Sequence, residues 1–288
     1  MKKGFLYILL TAIVFTTLEP VSKLIANQVE PVAMTFIRFF IGGAILLPFS
    51  VLQIKKKNIK LNAKDIWVMT LLGVLCICVS MVLLQYAVAI AESPALIAII
   101  FSANSVFTII FAALILKDKI TPKKVLAVLL CLLGVIVCAD VKSGTNVWSV
   151  VLAVLSAVSF SLYTILSKKY LTKVTGIIQT GISFFGGSLV LLIALLVMGT
   201  NIVPMITAQT IPYLLYLGIA VTGIGYWSYF RALDTTSATE ASMVFFIKPI
   251  LTPFVALIIT GTPLTVRTFV ALALVVAGSL LVAMKKKA

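Results

Sequence analysis

A chain of 288 residues that is 62% hydrophobic, only 11% charged, and has a mean hydropathy of +1.22 is too apolar to fold as a soluble domain of its size, and is expected to be a polytopic membrane protein. Its net charge of +15 invites a nucleic-acid reading. No basic face carries interleaved aromatic residues, and the lysines gather in short runs between apolar segments, so nucleic acid is excluded as a partner and the lipid bilayer is expected instead.

A helical span needs about 20 residues to cross a hydrocarbon core of roughly 30 Å. The apolar segments predict ten such helices, over 4–26, 31–53, 66–89, 94–116, 122–140, 147–167, 175–198, 210–232, 238–260 and 265–284. Ten spans use about 200 residues and leave no room for a soluble domain, so the all-α bundle must carry the function. Met1-Lys2-Lys3 before an apolar stretch has the opening of a signal peptide. No small-x-small cleavage site follows cleanly, and the segment has a counterpart later in the chain, so it is expected to be retained as the first span.

That first span holds Glu19, Pro20 and Lys23. Charges at i and i+4 share one helix face, and at membrane depth they are costly unless they face a protein interior or a water-filled path. Pro20 offers no N–H to the carbonyl of Thr16, which predicts a kink. Glu19 therefore reads either as a site for a proton or a cationic substrate, or as half of a structural pair with Lys23. Lys23 sits near the outer end and can also snorkel. Arg38, roughly 10 Å along the second span, either snorkels outward or pairs with Glu19 or a substrate carboxylate.

In the fourth span Ser102 and Asn104 lie at mid-depth and suggest a pocket shared with Lys248 of the ninth, with interhelical glue as the plain reading of Asn104. Gln85, Tyr86 and, in the sixth span, Tyr163 could line a pocket, packing being the plainer reading for each. Gly42-Gly43 and Gly186-Gly187 read as close-packing points. Tyr226, Trp227 and Tyr229 read as an aromatic belt at the membrane boundary. In the ninth span Lys248 precedes Pro249 and Pro253, predicting a broken helix whose lysine can hold an anionic group. Glu92 and Glu240, at span entrances, read as solvated. The four cysteines (Cys76, Cys78, Cys131 and Cys138) all lie in apolar segments and read as core filler. With no histidine, no acidic metal cluster and no nucleophile–base pair, neither an enzyme nor a metal or other cofactor is expected.

Orientation follows from the cations. With the N-terminus inside, 18 Lys and Arg fall on inner segments against two outside, Lys142 and Arg267, which predicts both termini cytoplasmic in a cell membrane. The chain also repeats itself. Phe160-Ser161-Leu162-Tyr163 with Ser167-Lys168 follows Phe15-Thr16-Thr17-Leu18 with Ser22-Lys23 by 145 residues, and Gly186-Gly187 follows Gly42-Gly43 by 144. Lys248 thereby corresponds to Asn104, and Pro249 to Ser105. Two units, 1–143 and 144–288, hold five spans each, an odd number, so they must lie inverted to one another.

Further strings are Arg38-Phe39-Phe40, Tyr86-Ala87-Val88-Ala89, Leu133-Gly134-Val135-Ile136-Val137, Thr236-Ser237-Ala238, Phe245-Phe246-Ile247-Lys248-Pro249 and Ala277-Gly278-Ser279-Leu280-Leu281. In their order and spacing they resemble the EamA-type ten-helix family of the drug/metabolite transporter superfamily over nearly the whole chain. That family often ends its fourth and ninth spans with Gly and Glu, whereas here they end Leu116-Lys117-Asp118 and Thr260-Gly261-Thr262. The small multidrug resistance proteins of the same superfamily carry a similar first-span glutamate. The resemblance implies a secondary transporter, usually an exporter of metabolites, amino acids or drug-like molecules. Alternating access driven by proton exchange at Glu19 or by the substrate gradient is the leading expectation, in a monomer or weak homodimer. Uptake of a polar solute, or a lipid-handling or scaffold role, are the alternatives.

Overall fold

A computed structural model describes residues 2–117, 121–138, 146–235 and 244–283. Every long element among them is helical, and they form ten spans. Span 1 is Lys2–Thr16 followed by Leu18–Leu24, and span 2 is Pro31–Lys56. Span 3 runs through Ala63–Val74, a π-helical stretch Leu75–Met81, and Val82–Ile90. Span 4 is Pro94–Ser102 and Asn104–Leu116, span 5 Pro122–Cys138, span 6 Val147–Tyr170 and span 7 Gly176–Val197. Span 8 joins Ile211–Leu215, a second π-helical stretch Tyr216–Ile224, and Gly225–Thr235. Span 9 is Val244–Thr260 and span 10 Val266–Ala283. Seven of the helical spans are long and apolar enough to cross a bilayer by length and composition alone; spans 5, 9 and 10 are shorter over the described residues.

The ends follow from local chemistry. Asn62 and Asp65 form a reciprocal capping box at the start of span 3. Pro31 and Pro94 open spans 2 and 4, where a missing N–H costs nothing. Gly199 and Gly261, at φ +67° and +66°, stop spans 7 and 9 in a left-handed turn that a side chain resists.

The packing carries the inverted symmetry. If each span is exchanged with the one five places away, the main interfaces map onto one another. Spans 1 and 8 map onto 6 and 3, spans 2 and 8 onto 7 and 3, and spans 4 and 6 onto 9 and 1; pairs 2–7, 4–9 and 5–10 map onto themselves. An odd number of spans per unit makes such an arrangement possible only with the two units inverted. The π-helical stretches obey the same exchange, lying in spans 3 and 8.

Glycine sets how closely the central pairs approach. A Cβ on Gly43 would meet the backbone nitrogen of Phe185 at 2.7 Å, and one on Gly187 would meet the Gly73 backbone at 2.7 Å. The close-packing role read from both glycine pairs therefore holds, with lipid tails offering no hydrophobic drive and van der Waals contact holding the helices.

One expectation about helix breaks needs correcting. Span 9 is one helix with Pro249 and Pro253 inside it, not a broken one. Proline removes a single donor at each site, which a membrane helix tolerates when neighbours enclose it. The interruption lies instead in span 4, at Ala103, between Ser102 and Asn104. Span 1 does break, at Thr17, one residue past the carbonyl that Pro20 leaves without a donor. Tyr226 is no belt residue either, since it packs inward, its ring 5.0 Å from that of Phe15 and 4.8 Å from that of Phe184.

Candidate functional site

The interruption at Thr17 places Glu19 in the second, shorter half of span 1, where five residues in a row, Leu18 to Ser22, are buried. Glu19 is fully buried, and its Oε1 accepts a 2.7 Å hydrogen bond from Nζ of Lys248. The pair joins span 1 of one unit to span 9 of the other. Among the described residues Oε2 of Glu19 has no hydrogen-bond partner. The Lys248 ammonium also stands 5.8 Å from the centre of the Phe101 ring. Thr252 donates its hydroxyl to the Lys248 carbonyl, tying the backbone beside the lysine.

Arg38 is the third charge. Only 2% of it is exposed, so it does not snorkel; its guanidinium lies 4.5 Å over the ring of Phe39. It stands within Coulombic reach of Glu19 and Tyr226. Its Nε and Nη2 are buried with no partner among the described residues. Two unlike charges thus lie near each other without pairing, each with a buried polar atom left over. Buried, unpaired donors and acceptors of charged groups cost free energy that a ligand or water can return.

Lys23 does not join this cluster. Its Nζ donates to the carbonyls of Ala89, at 2.8 Å, and Ala91, at the end of span 3. The structural pair between Glu19 and Lys23 is therefore corrected: sharing a helix face permitted it, but Lys248 takes the carboxylate. A helix C-terminus presents free carbonyls and a partial negative charge, which holds the Lys23 ammonium.

The other residues divide. The Phe101 ring lies tilted against Phe160, centroids 5.4 Å apart, and Phe160 lies 5.8 Å from Tyr163, so a line of rings leads from Lys248 to Tyr163. Tyr163 is buried, and its hydroxyl accepts from Gln179 at 3.4 Å. Ser102 donates to the carbonyl of Ala98, one turn back. The backbone carbonyl of Asn104 accepts the Ser161 hydroxyl at 2.6 Å, which links spans 4 and 6 without using the Asn104 side chain. Gln85 is buried against Met34. Glu92 is exposed, while Glu240 and Thr236-Ser237-Ala238 lie outside the described residues.

Sequence reasoning missed Phe101 as a neighbour of the lysine, Phe160 behind it, and Tyr226 as a neighbour of Arg38. Phe160 opens a string repeated at Phe15, which was the one available signal. An aromatic residue in an apolar helix otherwise looks like any other packing residue.

Set beside known proteins, the chain matches the model of the EamA-like transporter family twice, over residues 2–139 and 147–284. It is 38% identical to an uncharacterized transporter of Clostridium kluyveri, covering 98% of this chain and 93% of that one. It is 27% identical to an uncharacterized transporter of Archaeoglobus fulgidus over 89% and 90% of the two chains, and 28% identical to YvbV of Bacillus subtilis, also named an uncharacterized transporter, over 93% and 88%. A crystal structure at 16% identity superposes with a TM-score of 0.68 across 98% of this chain and 96% of its own, a likeness of fold. Two matched units, ten helical spans and a charged cluster between the units agree: the chain belongs to the EamA-like transporter family, and is a multi-pass membrane transporter.

Proposed function

We propose that this transporter exports a small metabolite bearing a carboxylate, an amino acid being the simplest example, by alternating access coupled to protons at Glu19. The observation that carries the reading is the buried cluster of Glu19, Lys248 and Arg38, where Oε2 of the first and Nε and Nη2 of the last have no partner among the described residues. With all three ionised the cluster has a net charge of +1, which favours an anionic group. A substrate carboxylate on Arg38 and a donor on Oε2 of Glu19 would satisfy the leftover atoms together. Phe39, Phe101 and Tyr226 supply apolar walls close to these charges.

Coupling follows from the same groups. A substrate ammonium and a proton both compete for Glu19, so release of one at each membrane face accompanies uptake of the other. The export direction rests on the family resemblance. The charge distribution supports both termini in the cytoplasm, and nothing in the reading needs more than a monomer or weak homodimer.

Transport of labelled amino acids in proteoliposomes against an imposed pH gradient tests this. Glu19→Gln nearly keeps the shape, so it should abolish pH-driven accumulation while leaving substrate exchange partly intact. Lys248→Ala should weaken binding of anionic and zwitterionic substrates. If Glu19→Gln retains full pH-driven accumulation, the proton travels elsewhere and Glu19 is one half of a structural pair.

A further inference from the structure

A hydroxyl inside a helix can donate to the carbonyl one turn back, and this chain uses that bond repeatedly. Thr16, Thr35, Ser50, Ser161 and Thr252 each donate to the carbonyl four residues before them. Two buried serines do not. Oγ of Ser22 and Oγ of Ser167 have no hydrogen-bond partner, alone among the buried side-chain hydroxyls of the described residues. The repeat makes the two serines equivalent, 145 residues apart.

They differ in what stands one turn before them. Three residues ahead of Ser167 is Thr164, which is exposed and donates its hydroxyl to the Phe160 carbonyl at 2.9 Å. Three residues ahead of Ser22 is Glu19, fully buried like Ser22 itself. Positions i and i+3 share a helix face. Oε2 of Glu19 and Oγ of Ser22 are therefore two buried oxygens one turn apart on one face, and neither has a donor. Lys248 has taken only the other oxygen of the carboxylate, Oε1. The segment that carries both residues, Leu18–Leu24, packs on spans 3, 4 and 9, so the oxygens face the bundle and not lipid. Leaving two such acceptors empty costs free energy, which a group with two hydrogens to give would return.

We infer that Oε2 of Glu19 and Oγ of Ser22 form a subsite for a primary ammonium group, and that Ser22 makes the transporter select amines with N–H donors. An –NH3+ group carries three hydrogens and gives one to each oxygen. A quaternary ammonium has none, and its methyl groups leave both oxygens buried and unpaired. A site built to accept hydrogen bonds rejects an analogue without them far more strongly than a purely apolar pocket does. The subsite rests on the reading above of a carboxylate substrate at Arg38 and Glu19, and names the chemistry of its other end. The second unit has the serine without the acid, so the subsite exists once.

Thermal unfolding of the full-length protein in detergent tests it, with methylammonium chloride replacing tetramethylammonium chloride at constant total salt. The wild-type midpoint should rise as methylammonium takes over, because a ligand of the folded state stabilises it. Ser22→Ala should need roughly tenfold more methylammonium for the same rise, the scale of one hydrogen bond to a charged group. Its midpoint without methylammonium should not fall, since the hydroxyl has no partner to lose. Ser22→Thr should respond as the wild type does, and so should Ser167→Ala, which removes the other unpaired hydroxyl. Glu19→Gln should abolish the response. The subsite is overturned if the wild type shows no preference for methylammonium, if Ser22→Ala responds at wild-type concentrations, or if the response survives Glu19→Gln. A lower midpoint for Ser22→Ala without methylammonium overturns it too, as the mark of a structural hydroxyl. Flux of labelled amino acids through the same variants separates the two ideas. A Ser22-dependent response to methylammonium without amino-acid flux sinks the substrate reading alone, and flux with an unchanged KM in Ser22→Ala sinks the subsite alone.

Discussion

Three ionisable side chains, Glu19, Lys248 and Arg38, are buried inside the bundle, and the proposed binding rests on them. Lys248 and Glu19 touch at 2.7 Å, both in places that lipid and bulk water do not reach freely. Removing one partner of such a pair strands the other charge, which costs about 3–5 kcal/mol, whereas removing both charges together costs far less. Lys248→Met should therefore destabilise the protein by about that amount, and adding Glu19→Gln to it should recover most of the loss. Thermal unfolding in detergent for the two single variants and the double variant measures this. Losses that simply add would mean that the two charges do not interact across the units. Arg38 needs a different explanation, because its partner in the resting structure is a ring and not an anion. The Phe39 ring lies against the guanidinium, while Nε and Nη2 are buried without a partner among the described residues.

At the scale of elements, glycine and π-helical turns do different work. Spans 2, 3 and 7 meet at Gly43, Gly73 and Gly187 with backbone against backbone. Gly187→Ala must push the Gly73 backbone away or tilt span 7, and overpacking of this kind costs about 1–3 kcal/mol. Gly199→Ala, at the exposed end of span 7, meets nothing within 4 Å and carries only the strain of a positive φ. Comparing the two unfolding temperatures separates packing from backbone conformation; a larger drop for Gly199→Ala would contradict the close-packed interface. Leu75–Met81 and Tyr216–Ile224, the π-helical stretches, lie in equivalent spans flanking that glycine contact. A wider turn loosens the backbone ladder, and such turns recur at functional places.

For the whole molecule, the charge asymmetry makes a prediction about orientation. Cytoplasmic loops keep Lys and Arg because translocating them is unfavourable, so the run at Lys55, Lys56 and Lys57 and the loop at Asn201 should lie on opposite faces. Single-cysteine labelling at Lys57 and Asn201 in intact cells checks this. Reaction of both from the same side would reject the topology.

The sequence by itself determined the class, the ten spans, the two units and the kink in span 1. Each depends on local composition, on spacing along the chain, or on a proline that no neighbour can supply with an N–H. It also marked Glu19, Arg38 and Lys248, since ionisable groups in apolar helices are expensive enough to stand out singly. What it did not hold was their pairing. Glu19 and Lys248 are 229 residues apart, and only the packing of span 1 on span 9 brings them together. Helical periodicity offered Lys23 instead, because it sees neighbours along one helix and none across the bundle. The break in span 4 was decided in the same way. Prolines in span 9 were the local signal, yet the enclosed helix ran through them, and the chain turned at Ala103, which no residue type announces.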